Sequence, residues 1–155
     1  MSEVFFYHLT RAPLEVALPE LLEKILSKGW RALIRGGRAE VLETLDSRLW
    51  TGQGEGFLPH GLAGGPHDGD QPILLTSDEG NPNKAEILLL VAGGEIDSAE
   101  VSGFTRVCVM FDGNDPDELT RARGDWKRFT DAGLAAQYWA QEDRGWVKKQ
   151  ERAAS

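Results

Sequence analysis

Residues 104–141 read FTRVCVMFDGNDPDELTRARGDWKRFTDAGLAAQYWAQ, a pattern typical of a buried strand, a sharp loop, a basic-aromatic helix and a second strand. Its β-branched and aromatic run at 107–111 predicts a buried strand, which the turn residues directly after it should stop. A helix is predicted to follow at once, because the Asp115 side chain can cap free backbone N–H groups and Glu118 would complete a capping box. Gly133 is suited to end that helix in a left-handed conformation.

The predicted helix carries one apolar stripe with cations beside it. At 3.6 residues per turn, the face expected to pack on a sheet consists of Leu119, Ala122, Trp126, Phe129 and Gly133. Arg123 and Lys127 lie beside that stripe and border Trp126. Two interpretations stay open: Trp126 is a core residue on a helix with solvated charges, or the three side chains form a small cationic pocket with an aromatic floor. Such a pocket would suit an acidic, apolar-ended peptide or a phosphate.

The rest of the chain alternates predicted strands with amphipathic helices. Predicted strands lie at 4–9, 30–35, 72–76, 87–91 and 138–141, the last at a sheet edge, and predicted helices lie at 14–28 and 38–49. This order predicts an α/β fold, with a mostly parallel or mixed central sheet flanked by helices in three layers. We expect a single domain over residues 1–147, followed by a polar, frayed tail at 148–155.

Composition narrows the classes of function. A net charge of −8 argues against general affinity for nucleic acid, which basic surfaces usually provide. The lone cysteine, Cys108, lies in an apolar run, so we expect a buried, inert thiol in a reducing cytosol. The start MSEVFFYHLT does not have the pattern of a signal peptide, and no apolar run approaches membrane-spanning length, so a cytoplasmic protein is predicted.

Motifs for catalysis are weak throughout the sequence. Gly36-Gly37 lies between a predicted strand and helix, where a phosphate could bind, but an ordinary tight turn is favoured because no glycine-rich fingerprint surrounds it. The run from His67 to Asp70 matches no established metal motif. We therefore expect no catalytic residue, metal or cofactor. Trp50 and other large apolar residues on the 50–70 loop could cover a core edge or form a contact surface.

Several short sequence motifs, which occur in the same order, resemble those of the chi subunit of bacterial DNA polymerase III over nearly the entire chain. They are FYHLT, ALIRGGRAEVLETLDSRLW, FLPHGLAG, QPILLTSD, the 104–133 stretch and YWAQ. The resemblance implies a non-catalytic accessory of the clamp loader, with a fold similar to nucleotide-binding domains but without a nucleotide site or cofactor. It also implies two protein partners: the psi subunit of the clamp loader, and the acidic, Phe-terminated C-terminal tail of single-stranded-DNA-binding protein. DNA would be contacted only indirectly.

The same resemblance implies site residues. For binding of the tail they are Arg123, Trp126, Lys127 and Trp50, the last as a possible wall. For the psi-like interface they are Phe57, Leu58 and Pro59. Leu119 and Asp112 lie where some family members carry a lysine and a valine, so the outer rim of the implied tail-binding site differs in this chain. Two alternatives remain: a small nucleotide- or metabolite-binding α/β enzyme that uses Gly36-Gly37, and an adaptor of the same fold for a repair helicase.

Overall fold

Strands and helices alternate along the chain in this computed structural model, which describes residues 2–10, 14–51, 60–142 and 145–154. The first elements are β1 (Glu3–Leu9), α1 (Leu14–Ser27), β2 (Ala32–Gly36), α2 (Ala39–Thr51) and the short β3 (Gly61–Leu62). They are followed by β4 (Ile73–Thr76), β5 (Ile87–Val91), β6 (Arg106–Asp112), α3 (Pro116–Asp131), β7 (Ala135–Glu142) and β8 (Gly145–Arg152). Short 3-10 helices lie at Asp68–Asp70 and Ser98–Gly103.

The strands form one mixed sheet with the order β3-β4-β2-β5-β6-β1-β7-β8. Neighbouring strands are parallel up to β7, and β7 and β8 are antiparallel. Helices α1 and α2 pack on one face of the sheet and α3 packs on the other. The predicted three-layer α/β architecture is therefore confirmed. Within the described ranges, no helix is both long and apolar enough to cross a membrane.

The core consists of two apolar layers separated by the sheet. Every residue of β4 and β5 is buried, as their continuous apolar runs predicted for central strands. On one face, Leu18 and Leu22 of α1 are wholly buried, and on the other face Phe129 of α3 is wholly buried against Phe6 of β1. The helices thus hold the sheet from both sides.

The local signals around α3 act largely as predicted. Asp115 caps the helix, and its Oδ1 accepts hydrogen bonds from the backbone N–H groups of Asp117 (2.9 Å) and Glu118 (3.4 Å). The reciprocal half of the predicted capping box does not form, because the Asp115 N–H donates to the Asp112 carbonyl instead (3.1 Å). Gly133 has φ of +85°, the left-handed conformation predicted for the end of the helix.

The C-terminal region differs from its prediction. The strand expected at 138–141 is longer, and it lies inside the sheet because β8 pairs along its outer side. The frayed tail expected from residue 148 is wrong as far as Arg152, since these residues form most of β8. Strand β8 has no continuous apolar run to reveal it, and its backbone hydrogen bonds to β7 hold a largely exposed, polar sequence in place.

Candidate functional site

Parallel pairing of β1 with two neighbours brings distant side chains together beneath α3. Phe6 of β1 is in register with Val109 of β6 and with Tyr138 of β7. Since side chains alternate along a strand, Phe6, His8 and Tyr138 all project to the face that α3 covers. Residues separated by some 130 positions in sequence, such as His8 and Tyr138, thereby become neighbours.

Five side chains on this face form what we call the α3 aromatic cluster: Phe6, His8, Phe111, Trp126 and Tyr138. The Trp126 ring centroid lies 5.4 Å from that of Phe6 and 6.2 Å from that of Tyr138, the latter in a T-shaped arrangement. Tyr138 also lies 6.0 Å from Phe111. Trp126 itself is only partly buried. The first interpretation, a core tryptophan, holds in part, because this indole packs on the core and still presents some surface to solvent. The cationic pocket stays a prediction.

His8 occupies the end of the cluster nearest the β6–α3 turn. Its Nδ1 is 2.7 Å from the Tyr138 hydroxyl, so the two rings are hydrogen-bonded. Its ring also fills the space beside Gly113, where an added Cβ would lie 1.7 Å from the His8 Nε2. Glycine is therefore needed at this turn for the close approach of an imidazole.

The charge of Arg123 acts on this pair of rings. Burial is the largest cause that lowers the pKa of His8 below its ordinary value, and the Arg123 guanidinium lowers this pKa further, while Asp112 opposes both effects. Burial raises the pKa of Tyr138, and Arg123 acts in the opposite direction. The Arg123 cation is therefore close enough to the hydrogen-bonded rings to influence their protonation.

The cations of α3 differ in whether their charge is balanced. Three of them form ion pairs: Arg121 with Glu95 (3.1 Å), Lys127 with Asp131 (2.7 Å) and Arg128 with Asp125 (3.2 Å). Arg123 is exposed and has no hydrogen bond or ion pair with any residue in the described part of the chain. It is therefore the cation on this helix that can pair with an incoming anion without breaking an existing contact.

The structure brings three of the predicted site residues together and does not test the others. Arg123, Trp126 and Lys127 lie on adjacent turns of α3. The Trp50 side chain lies outside the described residues, and so do Phe57, Leu58 and Pro59. Sequence reasoning missed His8, Phe111 and Tyr138 as neighbours of Arg123. Their aromatic character was visible in FYH and YW, but their proximity depends on the strand order.

Two further predictions concern residues outside the α3 aromatic cluster, Gly37 and Cys108. A Cβ added at Gly37 would lie 2.9 Å from the carbonyl oxygens of Ala92 and Gly93, so these oxygens, which repel anions, occupy the space beside the β2–α2 turn. This geometry favours the tight turn over a phosphate site. Cys108 is fully buried, and burial raises the pKa of its thiol to about 12, as expected for an unreactive cysteine.

The chain is an α/β scaffold with an exposed cation, Arg123, that has no ion-pair partner among the described residues and lies beside a partly exposed aromatic cluster, as in a protein-binding module. A family model described as "DNA polymerase III chi subunit, HolC" matches residues 1–137. The chain belongs to this family, and the resemblance seen in the sequence is confirmed.

Two relatives support the same assignment. The chain is 29% identical over 96 residues to the probable DNA polymerase III subunit chi of Rickettsia prowazekii (strain Madrid E), which covers 62% of this chain and 58% of that protein. It is 32% identical over 93 residues to the DNA polymerase III subunit chi of Pseudomonas aeruginosa (strain PAO1), which covers 57% of this chain and 63% of that protein. The chain thus spans less than two thirds of the length of either relative.

Proposed function

We propose that this chain is a non-catalytic accessory subunit of the DNA polymerase III holoenzyme that links the clamp loader to single-stranded-DNA-binding protein during replication. The acidic, Phe-terminated C-terminal tail of single-stranded-DNA-binding protein binds to this chain at Arg123 and Trp126. The observation that carries this proposal is the exposed guanidinium of Arg123, which has no ion-pair partner in the described part of the chain and lies next to an aromatic cluster.

Each end of the tail's last residue has a matching group in the site. A terminal carboxylate or an aspartate would form a charge-assisted, bidentate contact with Arg123. The terminal phenyl ring would pack on the exposed edge of Trp126, an aromatic pair of the kind already present between Trp126 and Tyr138. Lys127 has a secondary role, because Asp131 balances much of its charge at 2.7 Å. Trp50 is proposed as a further wall of the site.

The second contact is with the psi subunit. We assign it to Phe57, Leu58 and Pro59, which directly precede His60, a buried histidine whose Nε2 lies 3.3 Å from an Asp46 carboxylate oxygen. Substitution of Phe57 by Ser should reduce co-purification with psi. Leu62→Ser is the matched control, since Leu62 is a nearby apolar residue that is 40% exposed. Equal loss in both variants would contradict the assignment.

The tail-binding site is tested by fluorescence polarisation with a labelled acidic peptide that ends in Pro-Phe and has a free C-terminal carboxylate. Binding in the micromolar range is expected, and it should weaken with added salt because the contact is charged and exposed. Arg123→Ala should weaken it by about tenfold or more, as expected for loss of a hydrogen bond to a charged group.

Arg121→Ala is the matched control for this experiment. Arg121 lies on the same helix and carries the same charge, but it already contacts Glu95 and the Gly93 carbonyl. Its removal should change peptide affinity little. If the two variants weaken binding equally, or if the folded wild type does not bind the peptide, the assignment to Arg123 is wrong.

A further inference from the structure

A second aromatic surface lies on the opposite face of the sheet. Here a cavity of about 250 Å³ opens between α1 and the last strands. Its walls include Tyr7, Trp30, Trp139 and Trp146. We call it the tryptophan cavity.

The cavity follows from strand alternation and from the path of α1. Tyr7 and Trp139 are in register on β1 and β7, and they project to the α1 face, opposite to Phe6 and Tyr138. Helix α1 leads from β1 to β2 and so crosses β6 and β5, away from β7 and β8. The aromatic side chains beyond it are left with space on one side. Trp146 of β8 closes the far wall by a T-shaped contact with Tyr7, with 5.0 Å between centroids.

The rim of the cavity is cationic. Lys24 of α1 and Lys28 in the turn after this helix line the cavity and are exposed, and neither ammonium group forms an ion pair with any residue that the structure describes. The Lys28 Nζ lies 5.0 Å from the Trp30 ring centroid, so one of these charges is held over an aromatic wall. Glu20 adds a single acid to the lining, and the charge of Arg106 is balanced by Glu3 at 2.8 Å.

We propose that the tryptophan cavity binds an aromatic side chain of an acidic segment of a partner protein. Its volume of about 250 Å³ lies below the roughly 300–1,000 Å³ of pockets for drug-sized ligands and cofactors, so it suits a single anchoring side chain. Tryptophan walls offer stacking and edge contacts to a phenyl or indole ring, and the two lysines meet flanking carboxylates. Nucleic acid fits less well, because the whole chain carries a net charge of −8.

This surface is independent of the proposed tail site. The two lie on opposite faces of the sheet, and the family model ends at residue 137, before Trp139 and Trp146. Two of the walls are thus supplied by a region beyond the matched segment. The cavity can therefore bind a partner whether or not Arg123 binds the tail.

The test uses acetyl-Asp-Glu-Phe-Glu-Asp-amide, a peptide without a free C-terminal carboxylate, and the Arg123→Ala variant of the chain, in which the proposed tail site lacks its cation. The full chain labelled with ¹⁵N contains five tryptophans, whose indole N–H signals are assigned with single Trp→Phe variants. On titration with this peptide, the signals of Trp30, Trp139 and Trp146 should shift while that of Trp126 stays. The double variant Lys24→Glu/Lys28→Glu should weaken binding about tenfold, as two exposed charge contacts are reversed.

Three controls make the result decisive. Lys84→Glu reverses the charge of an exposed lysine that does not line the cavity and should leave binding of the blocked peptide unchanged. A peptide with Ala in place of Phe should not shift the three signals. The inference is overturned if the blocked peptide shifts none of them, if it shifts only Trp126, or if an oligo-dT strand shifts them and the peptide does not. Binding of the free-carboxylate tail peptide at Arg123 would stand in each of these cases, so the two proposals fail separately.

Discussion

The two faces of the sheet carry similar aromatic residues, but these residues form a packed cluster on one face and line a cavity on the other. On the α3 face, aromatic rings from β1 and β7 pack beneath a helix and form a cluster beside Arg123, which has no ion pair with any residue that the structure describes. On the α1 face, aromatic rings from the same two strands line an open cavity with lysines at its rim. Consecutive residues of one strand, Phe6 and Tyr7, or Tyr138 and Trp139, therefore belong to surfaces of opposite character.

The difference arises from the helix above each face and not from the strands. The connection from β6 through α3 to β7 passes over β1, so α3 covers the aromatic residues below it. The connection from β1 through α1 to β2 runs the other way and leaves the β7–β8 side of its face open. Whether a strand's aromatic residues become core or cavity is thus decided by the direction in which the next crossover runs.

The largest change in stability is expected on the α3 face. It is seen by comparing the loss of Phe129 on that face with the loss of Trp146 on the α1 face. Phe129→Ala removes a wholly buried ring beneath α3 and should lower the free energy of unfolding by about 3–5 kcal/mol. Trp146→Ala removes a partly exposed ring from the edge strand and should cost about 1–2 kcal/mol. Urea denaturation followed by circular dichroism measures both. Equal losses of stability would mean that the two faces are packed alike, which would contradict the difference described above.

An intermediate effect is expected at Gly113. Ala at this position would place its Cβ 1.7 Å from the His8 ring, so the ring must move and its hydrogen bond to Tyr138 is lost. We expect a loss of about 1–3 kcal/mol in denaturant unfolding. In a His8→Ala background, Gly113→Ala should lower the free energy of unfolding by only a small fraction of that amount. Gly103→Ala is the control, since nothing lies within 4 Å of a Cβ there, and a similar loss in that variant would contradict the explanation.

The smallest effect concerns protonation of His8. Its pKa in the folded protein lies below its ordinary value of 6.5, so near and below that pH the unfolded chain binds more protons than the folded chain. Stability should therefore fall as the pH decreases below about 6.5, and the fall should be shallower in His8→Gln. Arg123→Ala removes one of the causes and should raise the pKa of His8, as measured by an NMR titration of its ring. A similar rise in Arg121→Ala would show that the effect is not specific to Arg123.

Much of the fold could be predicted because its elements have strong local signals. The apolar runs of β4 and β5, the Asp115 cap and the Gly133 stop all depend on interactions within a few residues. Strand β8 could not be predicted, because its polar sequence is held by pairing with β7. In the site, Arg123 and Trp126 could be selected from helical spacing. Their neighbours His8 and Tyr138 could not, since they come from strands at opposite ends of the chain.

The sequence alone specified most of the helices and strands, the apolar faces of the helices and the family of the chain. These properties depend on periodicity, capping and motif order, which are local or linear. Tertiary contacts account for the rest: Arg121 pairs with Glu95 while Arg123 has no ion-pair partner in the described part of the chain, His8 needs a glycine beside it, and a cavity opens behind Trp139. Each of these depends on contacts between segments far apart in sequence, which the order of the strands and the path of the crossovers bring together.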